Sequence, residues 1–359
     1  MSTSAFSRKK NVDYVGDVSA RQMGMSFATT WASGPSVFLG VFFMWRYGVI
    51  PGTAWMVGNT LTLALAGAFW SYVPAARHWV NVTIFTLPLF LMYAMMEGLI
   101  MLINLAAIKA VFDGQGLIAR ISVLRMTDPG TATYISVAIG VTIVALIHRY
   151  GFRGSVISDR WQYYVQMSAA MLMALFIFVW SDPEAPRPDL FVPGEPGKIG
   201  GREWVLFGFA GIITAAFSYA QMWERLAAVP PTNAIRVGLW GSFFFGLYMT
   251  LIWIAAFFLT KNLLVSWLAL VIIMTVAAST IDSCVAGMQF IARKFNVSSA
   301  WGSITALAVV LGFLFVQGAG IDQIWNLMAA IRWKVVLVAV GITLLVQLVS
   351  LLRKQRASA

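Results

Sequence analysis

The chain is dominated by apolar stretches long enough to cross a lipid bilayer. Of its 359 residues, 60% are hydrophobic and only 11% are charged, a composition typical of proteins with several membrane spans. A transmembrane helix needs about 20 mostly apolar residues, and most of the stretches are near that length. They are 24–46, 51–73, 79–108, 131–148, 161–181, 203–224, 237–259, 263–292, 299–317 and 334–352. The pattern predicts an all-α polytopic membrane protein with ten transmembrane helices.

The charged residues between the spans predict their orientation. If the N-terminus is cytoplasmic, most Lys and Arg residues fall in cytoplasmic segments, as the positive-inside rule requires. Arg160 and Arg225 are counted among these loop charges. We therefore expect both termini in the cytoplasm of a bacterial inner (plasma) membrane, with the lipid bilayer and not nucleic acid as the partner of the basic residues. The segment 318–333 predicts an amphipathic helix on the outer surface.

Ten spans divide into two sets of five, and an odd number per set places the two sets in opposite orientations. We expect a single transporter core at 24–352, with repeats at about 24–181 and 203–352. The segment 1–23 is predicted to be cytoplasmic, as is the tail 353–359. Cys284 is the single cysteine, which excludes an internal disulfide and a cysteine-based metal site.

A cluster of polar side chains lies in the middle of the apolar segment 263–292. Ser279 and Ser283 are four residues apart and share a helix face, flanked by Thr280 and Asp282. Polar groups in hydrocarbon are costly unless a partner satisfies them, and oxygen ligands suit hard cations. The cluster therefore favours a cation site. Alternatively, the hydroxyls bond to their own backbone one turn earlier.

A second polar feature interrupts segment 24–46 at Ala32-Ser33-Gly34-Pro35-Ser36. Proline removes a backbone donor, and glycine lowers the cost of leaving the helix. A helix broken within the membrane exposes backbone groups that bind ions and solutes in transporters. Ser33, Gly34 and Ser36 are therefore candidate solute ligands, and the alternative is a simple proline kink.

Four motifs, in the right order, resemble the sodium:solute symporter family, whose members carry proline, sugars, sialic acid, carboxylates and similar solutes. The motifs are 26–36 followed by Trp45-Arg46-Tyr47-Gly48, then Ser158-Asp159-Arg160-Trp161-Gln162, Gln221-Met222-Trp223-Glu224-Arg225-Leu226-Ala227-Ala228, and Ala278-Ser279-Thr280-Ile281-Asp282-Ser283. The resemblance covers about residues 20 to 295. It implies a LeuT-like fold with a 5+5 inverted repeat, here as a minimal ten-helix core.

The resemblance also implies a sodium site between the first and eighth core helices. Its implied ligands are the carbonyls of Thr29, Ala32 and Val276 and the hydroxyls of Ser279 and Thr280. If the motif is aligned on Gly40 instead, the carbonyl ligands from the first helix are those of Thr30 and Ser33.

A possible second ion site is formed, on the same resemblance, by Asp159, Asp282 and Ser283. The alternatives for Asp159 are a solvated loop charge or an ion pair with Arg160 or Arg225.

Further candidates for solute binding lie in the third and sixth segments. Glu97 is an acid deep in an apolar segment, where it binds a solute amine, carries a proton or has a structural role. Phe217 and Tyr219 lie where segment six is expected to break, and the alternative for such aromatic residues is packing.

The sequence thus predicts a sodium-coupled symporter of a small organic solute, with Na⁺ as the coupling ion. It contains no nucleotide-binding loop, metal cluster or nucleophile–base set, so we do not expect an enzyme. The alternatives are a non-transporting sensor or accessory membrane subunit on the same scaffold, or a proton-coupled carrier. The sequence leaves open whether the protein has a protein partner.

Overall fold

The computed structural model describes residues 18–32, 34–73, 86–115, 122–180, 187–193, 200–213, 215–258, 263–316 and 321–358, and the regular structure in these ranges is helical. The helices are α1 Ala20–Trp31, α2 Gly34–Tyr47, α3 Val49–Tyr72, α4 Thr86–Asp113, α5 Pro129–Trp180, α6 Gly201–Ile213, α7 Ala220–Ala227, α8 Pro231–Phe257, α9 Leu263–Lys294, α10 Ser299–Val316 and α11 Ile321–Ser358. A 3-10 turn, Ala215–Ser218, lies between α6 and α7.

Six helices in these ranges have the length and apolar character that a membrane crossing requires. They are α3, the Leu91–Asp113 part of α4, α5, α8, α9 and α10. Helix α5 has 52 residues and contains Gly151, whose φ of 61° and ψ of −160° are not helical. It therefore consists of two helices, 129–150 and 152–180, and each is long enough to span a bilayer. The total of ten spans stays a prediction.

Two helix pairs are halves of broken helices. Helix α1 ends at Trp31, Ala32 is extended with φ −67° and ψ 106°, and α2 begins at Gly34. Similarly, α6 ends at Ile213, and the extended Tyr219 precedes α7. An extended residue between two helices is a full break and not a proline kink, so backbone groups at both breaks are free of helical hydrogen bonds.

Helix α9 lies at the centre of the molecule and packs against α4, α5, α7 and α10. Every residue from 279 to 289 is buried, which means that this stretch is surrounded on all sides by other helices. The polar cluster predicted from the sequence therefore faces protein and not lipid.

The surface helix expected at 318–333 is wrong, because helix α11 covers most of this segment and packs into the protein. Residues 321–358 form one continuous helix. Ile324, Met328 and Arg332 lie four residues apart on a buried face of it. A basic residue assigned to the outer surface therefore lies inside the protein.

Two other boundaries also differ from the sequence-based ones. Helix 152–180 begins before the predicted segment 161–181, so the motif 158–162 lies within a helix and not in a loop. The first helix begins at Ala20 and not at 24. A capping box formed by Ser19 and Gln22 stabilises its N-terminus.

Close packing between α3 and α8 gives a prediction for the fold. A Cβ atom on Gly67 would lie 2.5 Å from the Ala234 carbonyl oxygen and 3.0 Å from Gly238 Cα. Backbone atoms cannot rotate away, so Gly67→Ala should push the helices apart and cost about 1–3 kcal/mol. Gly312→Ala on α10 is the matched control, because its Cβ meets nothing within 4 Å. Thermal unfolding of the purified variants tests this, and equal melting temperatures would contradict the packing.

Candidate functional site

An ion pair between Arg225 and Asp159 lies at the centre of the candidate site. Arg225 comes from α7 and Asp159 from the second half of α5, and both side chains are completely buried. Arg225 Nη2 lies 2.8 Å from Asp159 Oδ2. Of the alternatives for Asp159, the solvated loop charge is wrong and the pair with Arg225 is observed. Arg225 is likewise not a loop charge.

The Arg225 guanidinium group connects α7 to three other elements. Its Nε donates to Ser26 Oγ of α1 at 3.0 Å, and its Nη1 to the Gln221 carbonyl at 3.1 Å. Nη2 also approaches Ser283 Oγ of α9 at 2.8 Å and Ser155 Oγ of α5 at 3.2 Å. One side chain therefore holds the second half of a broken helix against α1, α5 and α9.

Hydroxyl groups from α1 and α9 complete the surroundings of Asp159. Ser26 Oγ donates to Oδ2, and Thr30 Oγ1 lies 3.3 Å from the same atom. Ser279 Oγ donates to Oδ1 at 2.6 Å. Charge-assisted hydrogen bonds of this kind are stronger than neutral ones, so they bind α1 and α9 to α5 through one carboxylate.

Asp282 is a second carboxylate at this place and is 3% exposed. Its Oδ1 accepts hydrogen bonds from Ser155 Oγ at 2.8 Å and Ser283 Oγ at 3.1 Å. Ser155 and Ser283 also contact Arg225, so these two hydroxyls link Asp282 to the guanidinium group that Asp159 contacts directly. With both acids ionised, this cluster carries one net negative charge. An uncompensated buried charge is costly, and a cation or a proton would neutralise it.

Three of the ligands implied for the first sodium site lie together. Thr280 Oγ1 donates to the Ala32 carbonyl at 2.9 Å and to the Val276 carbonyl at 3.0 Å. The second of these is the expected bond to the helix's own backbone, and the first crosses to the break in α1. Thr280 therefore connects α9 to the end of α1.

The side chains of the two other residues implied for that site bond elsewhere, and the carbonyl ligand implied for Thr29 stays a prediction. Ser279 turns to Asp159, as described above. The Thr29 hydroxyl donates to the Met25 carbonyl at 2.8 Å and lies 3.4 Å from the Asp159 carbonyl. The first and second ion sites predicted from the sequence are thus joined by Ser279 into one polar region.

A cavity with a volume of about 30 Å³ lies next to this region, beside both helix breaks. Helices α1, α3, α4, α6, α7, α9 and α11 contribute to its wall, which includes Trp31, Trp55, Asn59, Tyr219, Gln221 and Arg332. A buried water needs about 10–15 Å³ measured in this way, so the volume suits two or three water molecules. Of the predicted solute ligands, Tyr219 lines the cavity.

The other predicted solute ligands are not among the described residues that line the cavity. Ser33 is outside the described residues. Gly34 and Ser36 belong to the first turn of α2, and their side chains are not described. Glu97 and Phe217 are buried but are not among the residues that line the cavity.

Glu97 and Phe217 support the break between α6 and α7. Glu97 Oε1 accepts a hydrogen bond from the Gln221 backbone amide at 3.0 Å, at the N-terminal end of α7, where the helix dipole favours a negative charge. The Phe217 carbonyl accepts from Tyr93 Oη at 2.8 Å and lies 3.3 Å from Trp223 Nε1. These contacts favour the structural alternative for Glu97 over a solute ligand.

Arg332 is the charged residue among the cavity residues that the sequence did not indicate as ligands. It is 7% exposed, and its guanidinium carbon lies 5.9 Å from the centre of the Tyr219 ring. The available signal was the spacing of Ile324, Met328 and Arg332 on one helix face, which had been assigned to the outer surface.

The comparisons with known proteins agree with a transporter fold. No family model matches the sequence, and no curated protein matches it. A sodium-coupled sialic acid symporter, solved in a substrate-bound outward-open state, has a TM-score of 0.55 and 13% identity, covering 91% of this chain and 81% of that one. The manganese transporter of Eremococcus coleocola, in complex with an aromatic bis-isothiourea compound, has a TM-score of 0.55 and 11% identity, covering 89% and 76%. At these identities the likeness concerns the fold alone: the chain is a helical membrane protein whose fold is similar to that of these two transporters.

The charge balance of the cluster predicts the effect of removing Arg225. Arg225→Gln leaves Asp159 and Asp282 buried without a counter-charge and should destabilise the protein by about 3–5 kcal/mol. Adding Asp159→Asn to that variant removes one of the two charges and should recover part of the loss.

The control is Arg149→Gln, because Arg149 is exposed. The melting temperature of each variant is measured by thermal unfolding in detergent. If Arg225→Gln unfolds at the temperature of Arg149→Gln, the ion pair does not hold these helices together.

Proposed function

We propose that the protein is a secondary transporter that couples the movement of a small organic solute to sodium. The observation that carries this proposal is the buried cluster of oxygen atoms around Asp159 and Asp282, which contacts the last turns of α1 and carries one net negative charge when both acids are ionised. Buried charge of this kind is stabilised by a bound cation. The structural likeness to a sodium-coupled symporter supports the proposal at the level of the fold. The proposal includes ten transmembrane spans and two repeats, at 24–181 and 203–352.

Sodium would bind where α9 meets the end of α1. Thr280 Oγ1 lies 2.9 Å from the Ala32 carbonyl oxygen and 3.0 Å from the Val276 carbonyl oxygen. Oxygen atoms are the ligands that hard cations prefer. The C-terminal end of α1 also carries the negative end of its helix dipole, which favours a cation.

The ion contacts give a physical route to alternating access. Helix α1 is held to α5 and α7 through Ser26, and to α5 and α9 through Thr30. A cation between α1 and α9 would strengthen one arrangement of these helices, and its release would weaken that arrangement. A ligand shifts such an equilibrium only by its difference in affinity for the two states, so the ion and the solute are coupled through the position of α1.

Proton coupling is a second candidate, and Asp282 is the residue that favours it. Asp282 contacts two hydroxyls, while Asp159 forms the direct ion pair with Arg225. A proton on Asp282 would neutralise the cluster as a sodium ion would. Uptake that persists without sodium but stops when the proton gradient is removed would select this candidate.

Transport of a divalent metal, as in the manganese transporter, is less well supported by the cavity. Arg332 places a positive charge in its wall, which repels a metal ion. Within the described ranges, His, Cys, Asp and Glu side chains form no group of three or more that could hold one. A sensor or accessory role remains the alternative if no solute moves.

Thermal stability with and without sodium tests the proposed ion site. Sodium should raise the melting temperature of the wild type, because the ion binds only the folded protein. Thr280→Val removes one proposed ligand while keeping the side-chain shape, so it should greatly reduce the response to sodium.

Thr275→Val is the matched control on the same helix, since the Thr275 hydroxyl bonds only to its own backbone at Val271 and Ile272. Potassium at equal concentration is the salt control. An identical response of the Thr280→Val and Thr275→Val variants to sodium would show that the ion binds elsewhere.

A further inference from the structure

Glu97 is an acid inside the protein that the proposed sodium site does not use. Its side chain is completely buried, and its Oε2 atom has no hydrogen-bond partner among the residues that the structure describes. Buried polar atoms without a partner are rare in native proteins and need an explanation. We propose that Glu97 is a proton-binding site that controls how firmly α7 is held in place. This inference goes beyond the proposed function and holds whether or not sodium is the coupling ion.

Two opposing effects act on the charge of Glu97. The Gln221 backbone amide donates to Oε1 at 3.0 Å, at the positive end of the α7 helix dipole, and both favour the ionised form. Complete burial and the carboxylate of Glu224, on the same short helix, favour the neutral form. A carboxyl group under both influences can take up a proton and release it.

The groups around Glu97 offer it no ion pair. Titratable side chains that face it or its nearest neighbours come from α4, α7, α9, α11 and the break before α7: Tyr93, Glu224, Cys284, Arg332 and Tyr219 respectively. Of the two charged ones, Glu224 pairs with Arg293, and Arg332 lies over the Tyr219 ring. Within the described ranges Glu97 itself forms no ion pair. A proton is therefore the simplest group that neutralises it.

Three further helices pack against α4. Helix α10 has no titratable side chain. Helix α5 contacts α4 at Leu105, about two turns beyond Glu97. The titratable residues of α2 are Arg46 and Tyr47, which lie in the last turn of that helix.

Gln221 connects Glu97 to the central cavity and to the buried ion pair. Its backbone amide bonds to Glu97, its carbonyl accepts from Arg225 Nη1 at 3.1 Å, and the residue lines the cavity. Water in the cavity would therefore bring a proton within one residue of Glu97. The same residue carries any change at Glu97 to Arg225.

Proton uptake weakens the bond at the start of α7. The proton moves from water to Oε2, and the carboxylate becomes a neutral carboxyl group while no other covalent bond changes. A neutral carboxyl group accepts an amide hydrogen bond less strongly than a carboxylate does. Because α7 has only eight residues and is not stable alone, it is held less firmly when Glu97 is protonated.

Infrared difference spectroscopy of the purified full chain in lipid nanodiscs detects the proton directly, because a protonated carboxyl group has a C=O stretching band that a carboxylate lacks. On acidification the wild type should gain a band that the Glu97→Gln variant does not gain. Glu203→Gln is the matched control and should keep the band. Glu203 also accepts a hydrogen bond from a backbone amide, that of Gly200 at 3.1 Å, but it is exposed. Equal bands in the wild type and Glu97→Gln overturn the inference, and loss of the band in Asp282→Asn instead assigns the proton to the ion-pair cluster.

Hydrogen–deuterium exchange measures the effect on α7 and can be read in the wild type alone. After correction for the intrinsic pH dependence of exchange, the amides of 220–227 should exchange roughly fivefold faster in acidic than in alkaline samples, while those of α10 stay unchanged. Glu97→Gln keeps the shape of the side chain and is neutral at every pH, so its α7 should exchange at the faster rate throughout. Equal exchange of α7 in acidic and alkaline wild type overturns the inference.

The same samples are measured with and without sodium, which separates this inference from the proposed function. A missing response to sodium contradicts the proposed coupling ion and leaves the proton site standing. A response to sodium without the infrared band of Glu97 contradicts the proton site alone.

Discussion

The buried ion pair between Arg225 and Asp159 is the interaction on which the rest of the site depends. It lies where α1, α5, α7 and α9 meet, and each of these helices contributes at least one atom that bonds to the pair. Helix α7 is only eight residues long and would not be stable alone. Arg225 at one end and Glu97 at the other hold it in place, and thereby maintain the break that opens the central cavity.

Asp282 adds a second carboxylate to the hydroxyl groups that surround the ion pair. When both acids are ionised, one negative charge is left over, and under the proposed function this charge makes the packing of α1 against α5 and α9 sensitive to a cation. The cavity shares Thr30 and Thr280 with the polar region, so a change at the proposed ion site would reach the cavity without a long chain of contacts. The short distance between the two is the physical basis of the proposed coupling.

The sequence predicted the helical membrane fold and the polar centre of α9 because both follow from local patterns. Gly34-Pro35 indicated the break after α1 for the same reason, and the ion pair of Asp159 with Arg225 was one of the stated alternatives. The predicted position of Arg225 in a loop was wrong, because counting charges assigns every arginine near the end of a span to a loop. Arg332 was missed because a buried charge and a surface charge have the same spacing along a helix. Tertiary packing alone distinguishes them.

Direct binding of radioactive sodium to the purified wild-type protein tests the central claim, that the oxygen atoms where α9 meets the end of α1 form a sodium site beside the buried acids. The account predicts saturable binding that unlabelled sodium displaces and potassium does not, that is lost in the Thr280→Val variant and that is weakened when Asp282 is replaced by asparagine. Absence of saturable binding in the wild type would contradict the account. Binding that is unchanged in the Asp282→Asn variant would also contradict it, because the surplus charge would then have no part in holding the ion.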